Sequence, residues 1–316
     1  MVSLRKIPPV PEGGRNISDK SDSKHSMPIR NVALRKMNGM LRIPSVLRRY
    51  PNCRRNSNHV HPMIKNQLKE LGYCHFVPQI DCDSGELKIL YREFEQLEHD
   101  CYAPAEVKRF RRYANGVILP WTKEVDIHWI PPVHDDTGTP RSGYDQGGNN
   151  PEHPDIRYFH ALGELMKSTD FLCDLVRDDF SHTFWSETDR RSPIYFGVHF
   201  VKICSGAASD LGISSPDCFH QDGEPFTFAH LARRTQSTAG GVNYIGTVDA
   251  RGLPLEKVAE RQILASFELS HFLESFVVHD PRVSHYVTPI RRDERLLGDG
   301  ERCVILIDFS RMRQSL

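Results

Sequence analysis

The C-terminal part of the chain, from about residue 190 to residue 316, consists of short β-branched and aromatic runs, and this pattern constrains the fold more than any other feature. The runs are PIYFGVHFVKI, EPFTFAHLAR, GGVNYIGTV, ILASFELS, FLESFVVHD and RCVILIDF. Turn residues separate them, as in DARG (249–252) and GDG (298–300). Short runs with turns between them predict antiparallel strands of a sandwich or barrel.

Residues 58–180 show helical patterns instead. The segment MIKNQLKELGY carries apolar residues at helical spacing and stops at Gly72, and residues 87–102 repeat such a pattern. Residues 159–180 predict either two helices or one helix with a break. Between them, RFRRYANGVI is strongly basic and runs into a possible strand, while residues 131–155 are dense in Pro, Gly, Asn and Asp and predict a long loop.

Helices in front and antiparallel strands behind define the expected fold class. It is mainly β with flanking helices (α+β), with a double-stranded β-helix core of the jelly-roll, cupin-like type that N-terminal helices buttress. We expect a single domain over residues 58–316, with its helical part at 58–180 and its jelly-roll part at about 190–316.

Charge separates the N-terminal segment from this domain. Residues 1–60 hold thirteen Lys/Arg against three acids, so the remaining residues hold 28 Lys/Arg and 38 Asp/Glu. Residues 1–57 are therefore predicted to be a basic, flexible arm. Such an arm can touch an anionic partner, but few aromatic residues lie among its charges to stack on bases, so nucleic acid is not the expected partner.

Composition argues against several other classes of protein. No window approaches the roughly 18 consecutive apolar residues of a membrane span, and the first thirty residues lack the apolar core of a secretory signal. The eight cysteines form no CxxC pair, which argues against zinc modules and redox motifs. We therefore expect a soluble, cytoplasmic protein with reduced thiols; its oligomeric state is not encoded in these features.

Three His-x-Asp pairs are candidates for metal binding. Sixteen histidines and 41 acids make such pairs common by chance, so their context decides between them. His134-x-Asp136 and His153-x-Asp155 fall in the predicted loop, which would hold ligands poorly. His220-x-Asp222 instead lies in DCFHQDGEPF, just before a predicted strand, where side chains two residues apart point to the same side.

A third ligand is needed to complete such a site. Two imidazoles and one carboxylate on one face of an octahedron are typical of non-haem Fe(II) oxygenases, because they leave three positions open. FVVHDPRVSHYVTPI offers His279 and His285, and periodicity does not choose between them. His230 and His271 are better explained as packing or surface residues.

Three segments together resemble a known family. HQDGEPFTFAHLARR, GGVNYIG and DPRVSHYVTPI are similar to the Fe(II)/2-oxoglutarate-dependent dioxygenases that include bacterial L-isoleucine hydroxylase. LKELGY, FEQLEHDCY and RFRRYANG extend the resemblance, which covers roughly residues 60–316. It implies Fe(II), 2-oxoglutarate and O2 as cofactor and co-substrates. The implied reaction is hydroxylation of an unactivated C–H bond of a free L-amino acid or similar small metabolite, with release of succinate and CO2.

The resemblance also assigns roles to residues. It implies His220, Asp222 and His285 as iron ligands, and the carboxylate Asp222 favours hydroxylation, since related halogenases have a small residue there. Arg302, which opens RCVILIDF, is the implied anchor for the distal carboxylate of 2-oxoglutarate, in preference to Arg291 and Arg292. Thr288 can lend a hydroxyl nearby. Gly240 and Gly241 are expected to serve close backbone approach or a positive φ.

Substrate residues are much less visible in the sequence. An amino-acid substrate needs an acid for its amine, and Glu224 is the candidate. It also needs a cation for its carboxylate, and the candidates are Arg234 or an arginine of RFRR, with Arg112 preferred to Arg109 and Arg111. Two alternatives remain open here: the same chemistry on a peptide or carrier-bound residue, and a catalytically silent cupin-like binding protein.

Overall fold

A computed structural model of the protein describes residues 60–122, 125–146, 155–207, 210–214 and 216–311. The described helices are α1 (Val60–Leu71), α2 (Ser84–Glu95), α3 (Glu164–Lys167) and α4 (Asp170–His182). The described strands are β1 (Tyr73–Phe76), β2 (Arg109–Ile118), β3 (Ile127–Trp129), β4 (Val133–His134), β5 (Pro140–Tyr144), β6 (Arg157–His160), β7 (Ile194–Ser205), β8 (Phe226–Arg234), β9 (Thr238–Gly240), β10 (Val242–Gly246), β11 (Ile263–Glu268), β12 (Ser275–His279), β13 (Ser284–Val287), β14 (Ile290–Arg292) and β15 (Gly300–Arg311).

The strands form a jelly-roll of one large and several small sheets. The large sheet has seven antiparallel strands in the order β1-β12-β8-β15-β7-β2-β3. A three-stranded sheet, β11-β10-β13, lies against its inner face, and β14 pairs with β9. The mainly β fold with flanking helices that the sequence predicts is confirmed.

Both faces of the large sheet are buried, and side-chain alternation assigns each residue to one of them. On β7, Phe196, Val198 and Phe200 face outward to the helices, whereas Val201 and Ile203 face the inside of the jelly-roll. On β15, Ile305, Ile307 and Phe309 face outward and Val304 faces inward. Burying each such side chain contributes about 1.5–3 kcal/mol, so the two apolar faces hold the layers together.

The helices cover the outer face of the sheet. α2 and α4 contribute buried residues of this outer core, among them Leu90, Phe94, Phe171, Leu172 and Leu175. The start of α2 is set by Asp83, whose side chain accepts from the Gly85 and Glu86 backbone N–H groups in a capping box. The inner face, which the helices leave free, is where the polar residues described below converge.

Some elements differ from the sequence-based expectation. The predicted loop over residues 131–155 contains β4 and β5, which pair with each other, and β5 also pairs with β6 to form a three-stranded sheet. Residues 159–180 begin with the end of β6 and then form two helices, α3 and α4, which is the first of the two predicted alternatives. The basic arm, residues 1–57, lies outside the described residues. No helix in the described part of the chain is long and apolar enough to cross a membrane.

Candidate active site

His220 and His285 face each other across a two-stranded bridge. The His220 N–H donates to the His285 carbonyl at 2.9 Å, and the His285 N–H donates back to the His220 carbonyl at 2.9 Å. Directly opposed residues of an antiparallel pair place their side chains on the same face. The two imidazole ring centroids are accordingly 4.2 Å apart.

Asp222 joins the pair because the chain turns sharply after it. Gly223 has φ +93°, a backbone conformation that glycine adopts at little cost. The turn is held from below by Asp280, whose two carboxylate oxygens accept from the Asp222 N–H at 3.0 Å and the Gly223 N–H at 2.8 Å. Burial, and then the nearby Asp222 charge, raise the pKa of Asp280 to about 7. Nothing in the sequence links residue 280 to residue 222, so sequence reasoning missed Asp280.

The three side chains point their ligand atoms at one another. His220 Nε2 lies 3.6 Å from Asp222 Oδ1, and His285 Nε2 lies 3.5 Å from Asp222 Oδ2. One ligand atom from each residue falls within 4.8 Å of the other two. Among the residues that the structure describes, this is the one group of three such side chains that could hold a metal ion.

The protonation pattern suits metal binding. The Cys218 carbonyl accepts from His220 Nδ1 at 2.9 Å, so the proton sits on Nδ1 and Nε2 keeps its lone pair. Burial, and then the neighbouring His220, lower the pKa of His285 to about 4, so this imidazole is neutral, the form that ligates metals. Burial alone would raise the pKa of Asp222, but the two imidazoles help to bring it below its ordinary value. These donors fit a divalent cation.

A cavity of about 230 Å³ opens beside the three residues. His220 and Asp222 line it, together with residues from β2, β5, β6, β7 and β15: Arg111, Tyr144, Arg157, His199, Leu306 and Asp308. A larger cavity of about 860 Å³ is lined by Gly223 and by Lys69, Trp185, Phe226 and His279, but His220, Asp222 and His285 do not line it.

Arg302 lies on the inner face of β15, in the row of Val304, Leu306 and Asp308. Its side chain is 4% exposed, and Nη2 donates to Asn243 Oδ1 at 3.3 Å, while Nε has no partner. Burial lowers the pKa of this guanidinium to about 10. A buried cation with an unused N–H group is suited to bind an anion.

Arg234 pairs with Arg302 across β8 and β15. Its Nη2 donates to the Thr238 and Gly240 carbonyls and forms a 2.9 Å ion pair with Glu268, but its buried Nη1 has no partner. The structure therefore brings Arg234 beside Arg302 rather than beside the two histidines.

Of the two neighbouring glycines, Gly241 provides space for the arginine side chains, and Gly240 lies against the Pro289 carbonyl. Gly240 and Gly241 have φ of +80° and +72°, as the sequence predicts, and a Cβ at residue 241 would lie 3.0 Å from Arg234 Nη1. Thr288 lies in the same region, where its hydroxyl accepts from the Val242 N–H at 3.0 Å.

The competing arginines lie elsewhere. Arg291 is exposed, and Arg292 donates to the Gly206 carbonyl. Arg112 points to the outer face of β2, where Glu93 and Glu98 form ion pairs with it at 2.8 and 2.7 Å. The structure does not bring Arg112 to the cavity, because its neighbour Arg111 takes the inward position on the strand.

Glu224 is buried behind the cavity wall. Its Oε1 accepts from the Tyr144 hydroxyl at 3.1 Å, and its Oε2 has no partner. Burial, and then the Asp308 and Asp222 charges, raise the pKa of Glu224 well above its ordinary value. Tyr144 rather than Glu224 lines the cavity.

The other candidate histidines are separated from this site. His279 stacks on Phe226 with ring centroids 5.0 Å apart and lines the larger cavity. His134 and Asp136 are exposed, and His153 lies outside the described residues. Sequence reasoning did not single out His199, Arg157 and Asp308, although His199 and Asp308 each interrupt an otherwise apolar strand, which is a usable signal.

A model of the family described as 2OG-Fe dioxygenase matches residues 91–308, more than half of the chain. The chain belongs to the 2OG-Fe dioxygenase family. The protein is thus an enzyme of a class that uses Fe(II), 2-oxoglutarate and O2, and the His220, Asp222 and His285 donors fit such a centre. No curated protein matches the chain.

Solved structures share the jelly-roll of this dioxygenase. IDO from Bacillus thuringiensis has 18% identity and a TM-score of 0.58, with 80% of this chain and 100% of that chain covered. A bsmA homolog from Methylobium petroleophilum PM1 has 15% identity and a TM-score of 0.61, with 79% and 93% covered. The Fe(II)/(alpha)ketoglutarate-dependent dioxygenase TqaL has 11% identity and a TM-score of 0.54, with 79% and 87% covered. At these identities the likeness shows the fold alone.

Proposed function

We propose that this dioxygenase holds Fe(II) through His220, Asp222 and His285 and hydroxylates an unactivated C–H bond of a free L-amino acid. One oxygen atom of O2 enters the new hydroxyl group, and the other enters the succinate formed from 2-oxoglutarate as CO2 is released. The observation that carries the proposal is the convergence of these three ligand atoms within 4.8 Å beside a cavity that contains both cationic and anionic side chains.

The iron and its co-substrate would supply the oxidising power, and the protein holds the reacting groups in position. His220 and His285 are fixed by their mutual backbone bridge, and Asp222 is fixed by Asp280. An iron ion held by two imidazoles and one carboxylate would keep positions open for the co-substrate and oxygen. Asp222 itself supports hydroxylation, because a carboxylate occupies the position that would have to be vacated for a halide.

Arg302 is the proposed anchor for the distal carboxylate of 2-oxoglutarate, with the Thr288 hydroxyl nearby. Its burial strengthens a pair with an anion, and its unused Nε–H offers a further donor. Arg234, with its own free Nη1 group, contributes positive charge at the same place.

The size and charge of the cavity support a small, charged substrate. At about 230 Å³ it lies below the ~300–1,000 Å³ of pockets that enclose drug-sized ligands. Arginines and carboxyls line the same space, which suits a molecule that carries both charges. This favours a free amino acid over a long peptide.

The extent and location of the enzyme complete the proposal. We propose that residues 58–316 act as one catalytic domain with residues 1–57 as an appended arm. We also propose a cytoplasmic location, because that compartment keeps thiols reduced and is compatible with ferrous iron.

The test compares Asp222→Ala with a matched variant, Asp136→Ala, which removes the exposed acid of the competing His134-x-Asp136 pair. Succinate formation from 2-oxoglutarate is measured under air after anaerobic loading with Fe(II). We expect Asp222→Ala to lower the rate at least about 100-fold, beyond the range typical of residues that only orient a ligand. Asp136→Ala should match the wild type.

Circular dichroism of both variants establishes that they are folded. A folded Asp222→Ala protein that forms succinate at the wild-type rate contradicts the ligand assignment. A mass increase of one oxygen atom in an L-amino acid, coupled to succinate, tests the hydroxylation itself.

A further inference from the structure

Two arginines face the cavity without a salt bridge to a described carboxylate, although the buried Asp100 acts on Arg111 from a longer distance. Arg111 of β2 and Arg157 of β6 both line it, and neither forms a salt bridge with any residue that the structure describes. They stack on a shared aromatic surface: Arg111 lies 4.3 Å from the Phe159 ring centroid, and Arg157 lies 5.1 Å from that of Tyr144. Two like charges held side by side in a partly closed space favour an anionic ligand.

The orientation of Arg111 is set by a relay of side chains. Its Nη2 donates to His199 Nδ1 at 2.7 Å, so this imidazole nitrogen accepts and the proton sits on Nε2. His199 Nε2 then donates to Asp308 Oδ2 at 3.2 Å. Both partners are nearly fully buried, at 2% and 3% exposed, and the relay holds Arg111 toward the cavity. The Nε–H of Arg111 has no partner.

Asp308 presents a carboxyl group to the same cavity. It extends from the inner face of β15, and space for it exists because residue 197 is glycine: a Cβ there would lie 2.6 Å from Asp308 Oδ2. No described lysine or arginine forms a salt bridge with Asp308; its carboxyl group accepts from the neutral His199 and from the Gly197 and Asp308 backbone N–H groups. A cationic group in the cavity would satisfy it.

We infer that Arg111 and Arg157 bind the α-carboxylate of the substrate and that Asp308 binds its α-ammonium group. The inference rests on the proposed function and deepens it, since it names the residues that recognise both charges of a free amino acid. Recognition of both charges excludes esters, amides and N-acylated residues, and hence peptide-bonded substrates.

This subsite is separate from the proposed 2-oxoglutarate anchor. Arg111 lies on β2 and Arg302 on β15, with β7 between them, so their backbones are at least about 10 Å apart. Arg111 also extends toward His199, which pairs with Leu306 of β15, whereas Arg302 pairs with Ile203, four residues away along β7. The enzyme thus has one buried cationic site for each of two carboxylate-bearing reactants.

The test uses the full-length Fe(II)-loaded enzyme and measures succinate formation with 2-oxoglutarate. The probes are the twenty common L-amino acids, each compared with its amide and its N-acetyl derivative. We expect at least one free amino acid to stimulate succinate formation, with its amide and N-acetyl derivative at least about tenfold less effective, the factor that 1.4 kcal/mol of lost binding produces.

Variants then assign the charges to residues. Arg111→Gln should raise the KM for the stimulating amino acid at least tenfold and change the KM for 2-oxoglutarate less than twofold. It should also reduce the difference in kcat/KM between the free amino acid and its amide. Asp308→Asn should likewise raise the KM for the stimulating amino acid, and it should reduce the difference in kcat/KM between the free amino acid and its N-acetyl derivative. Arg112→Gln is the matched control: it removes the same charge from the next residue of β2 on the opposite face, and both KM values should stay at wild-type levels.

The outcomes separate the two proposals. No succinate from wild-type enzyme under any condition contradicts the proposed iron chemistry. Suppose instead that succinate forms without any amino acid, and that free amino acids stimulate its formation no more than their amides do, or not at all. This outcome overturns the inference and leaves the iron chemistry in place. A rise in the KM for 2-oxoglutarate alone in Arg111→Gln would assign Arg111 to the co-substrate and overturn the inference as well.

Discussion

At the scale of single residues, the decisive groups are buried charges whose hydrogen bonds are incomplete. Arg302 uses one bond to Asn243 and leaves Nε unpaired, and its neighbour Arg234 leaves Nη1 unpaired. An unsatisfied N–H group of this kind costs about 1–3 kcal/mol when nothing binds to it. A carboxylate at this position would recover that free energy, which is why we assign the co-substrate to it.

Replacing Arg302 therefore tests the anchor. Arg302→Gln should raise the KM for 2-oxoglutarate about 10- to 100-fold, because a charge-assisted hydrogen bond contributes about 1.5–3 kcal/mol. Arg302→Lys should be intermediate, since an ammonium group keeps the charge but not the two-pronged geometry. The measurement is succinate formation as a function of 2-oxoglutarate concentration.

The exposed Arg291 provides the control for that experiment, because Arg291→Gln removes the same charge from the alternative candidate. Wild-type affinity in Arg302→Gln together with a raised KM in Arg291→Gln would reverse the assignment.

Residue-level prediction from the sequence worked where local context was sufficient. The His220-x-Asp222 spacing at a strand start predicted two side chains on one side, and these do converge in the structure. It failed for RFRR, because only the pairing of β2 with β7 decides that Arg111 faces inward and Arg112 outward. The choice of His285 over His279 likewise depends on the bridge to His220, which joins residues 65 positions apart.

At the scale of elements, α4 is attached to the large sheet by a buried polar pair as well as by apolar packing. Asp179 Oδ2 contacts His230 Nε2 at 2.8 Å, and His230 Nδ1 contacts the Ser275 hydroxyl at 2.8 Å, which links α4, β8 and β12. Burial raises the pKa of Asp179 to about 6, although the adjacent His230 acts in the opposite direction. This pair lies on the outer face of the sheet, away from the cavity.

The raised pKa predicts a specific dependence of stability on pH. The folded state binds the Asp179 proton more tightly than the unfolded state, so this contribution to stability is complete below about pH 4 and is lost as pH rises to about 6. Two pKa units correspond to on the order of 3 kcal/mol. The difference in unfolding free energy between wild type and Asp179→Asn should therefore fall by about 2–3 kcal/mol between pH 4 and pH 6.

Urea denaturation of the metal-free protein at pH 4, 5 and 6 provides the measurement. Asp174→Asn, on the exposed side of the same helix, should give a pH profile parallel to that of the wild type. If the pH profile of Asp179→Asn is also parallel to that of the wild type, Asp179 does not have a raised pKa in the folded protein.

Element-level prediction succeeded for the strands of the jelly-roll and failed for residues 131–155. The strands of the large sheet are buried on both faces, so they read as near-continuous apolar runs. β4 has only two residues, whereas β5 contains Pro140 and Gly143; both lie in a small sheet, where Tyr144 of β5 contributes one buried aromatic side chain. Their pairing comes from tertiary contacts that local composition does not encode.

At the scale of the whole molecule, the inner face of one sheet contributes to the proposed co-substrate site and to the proposed substrate site. β15 carries Arg302 near its start and Asp308 near its end, and the proposed iron ligands come from the turn before β8 and from β13. Most of these positions are rigid strand residues, which hold a site better than loop residues do. A single packed framework therefore connects the proposed sites for the metal, the co-substrate and the substrate.

That framework predicts that Fe(II) and 2-oxoglutarate stabilise the folded protein against heat in a coupled way. Anaerobic Fe(II) at about 100 times its dissociation constant stabilises the folded state by about 2.7 kcal/mol, which corresponds to roughly 5–10 °C in Tm for a domain of this size. The Tm of Asp222→Ala should not respond, because the carboxylate ligand is gone. Adding 2-oxoglutarate should raise the Tm further in the wild type but not in Arg302→Gln, and it should act weakly when EDTA has removed the metal. An equal rise with and without metal would show that 2-oxoglutarate binds independently of the iron, and the joint assignment of His220, Asp222, His285 and Arg302 to one centre would then be wrong.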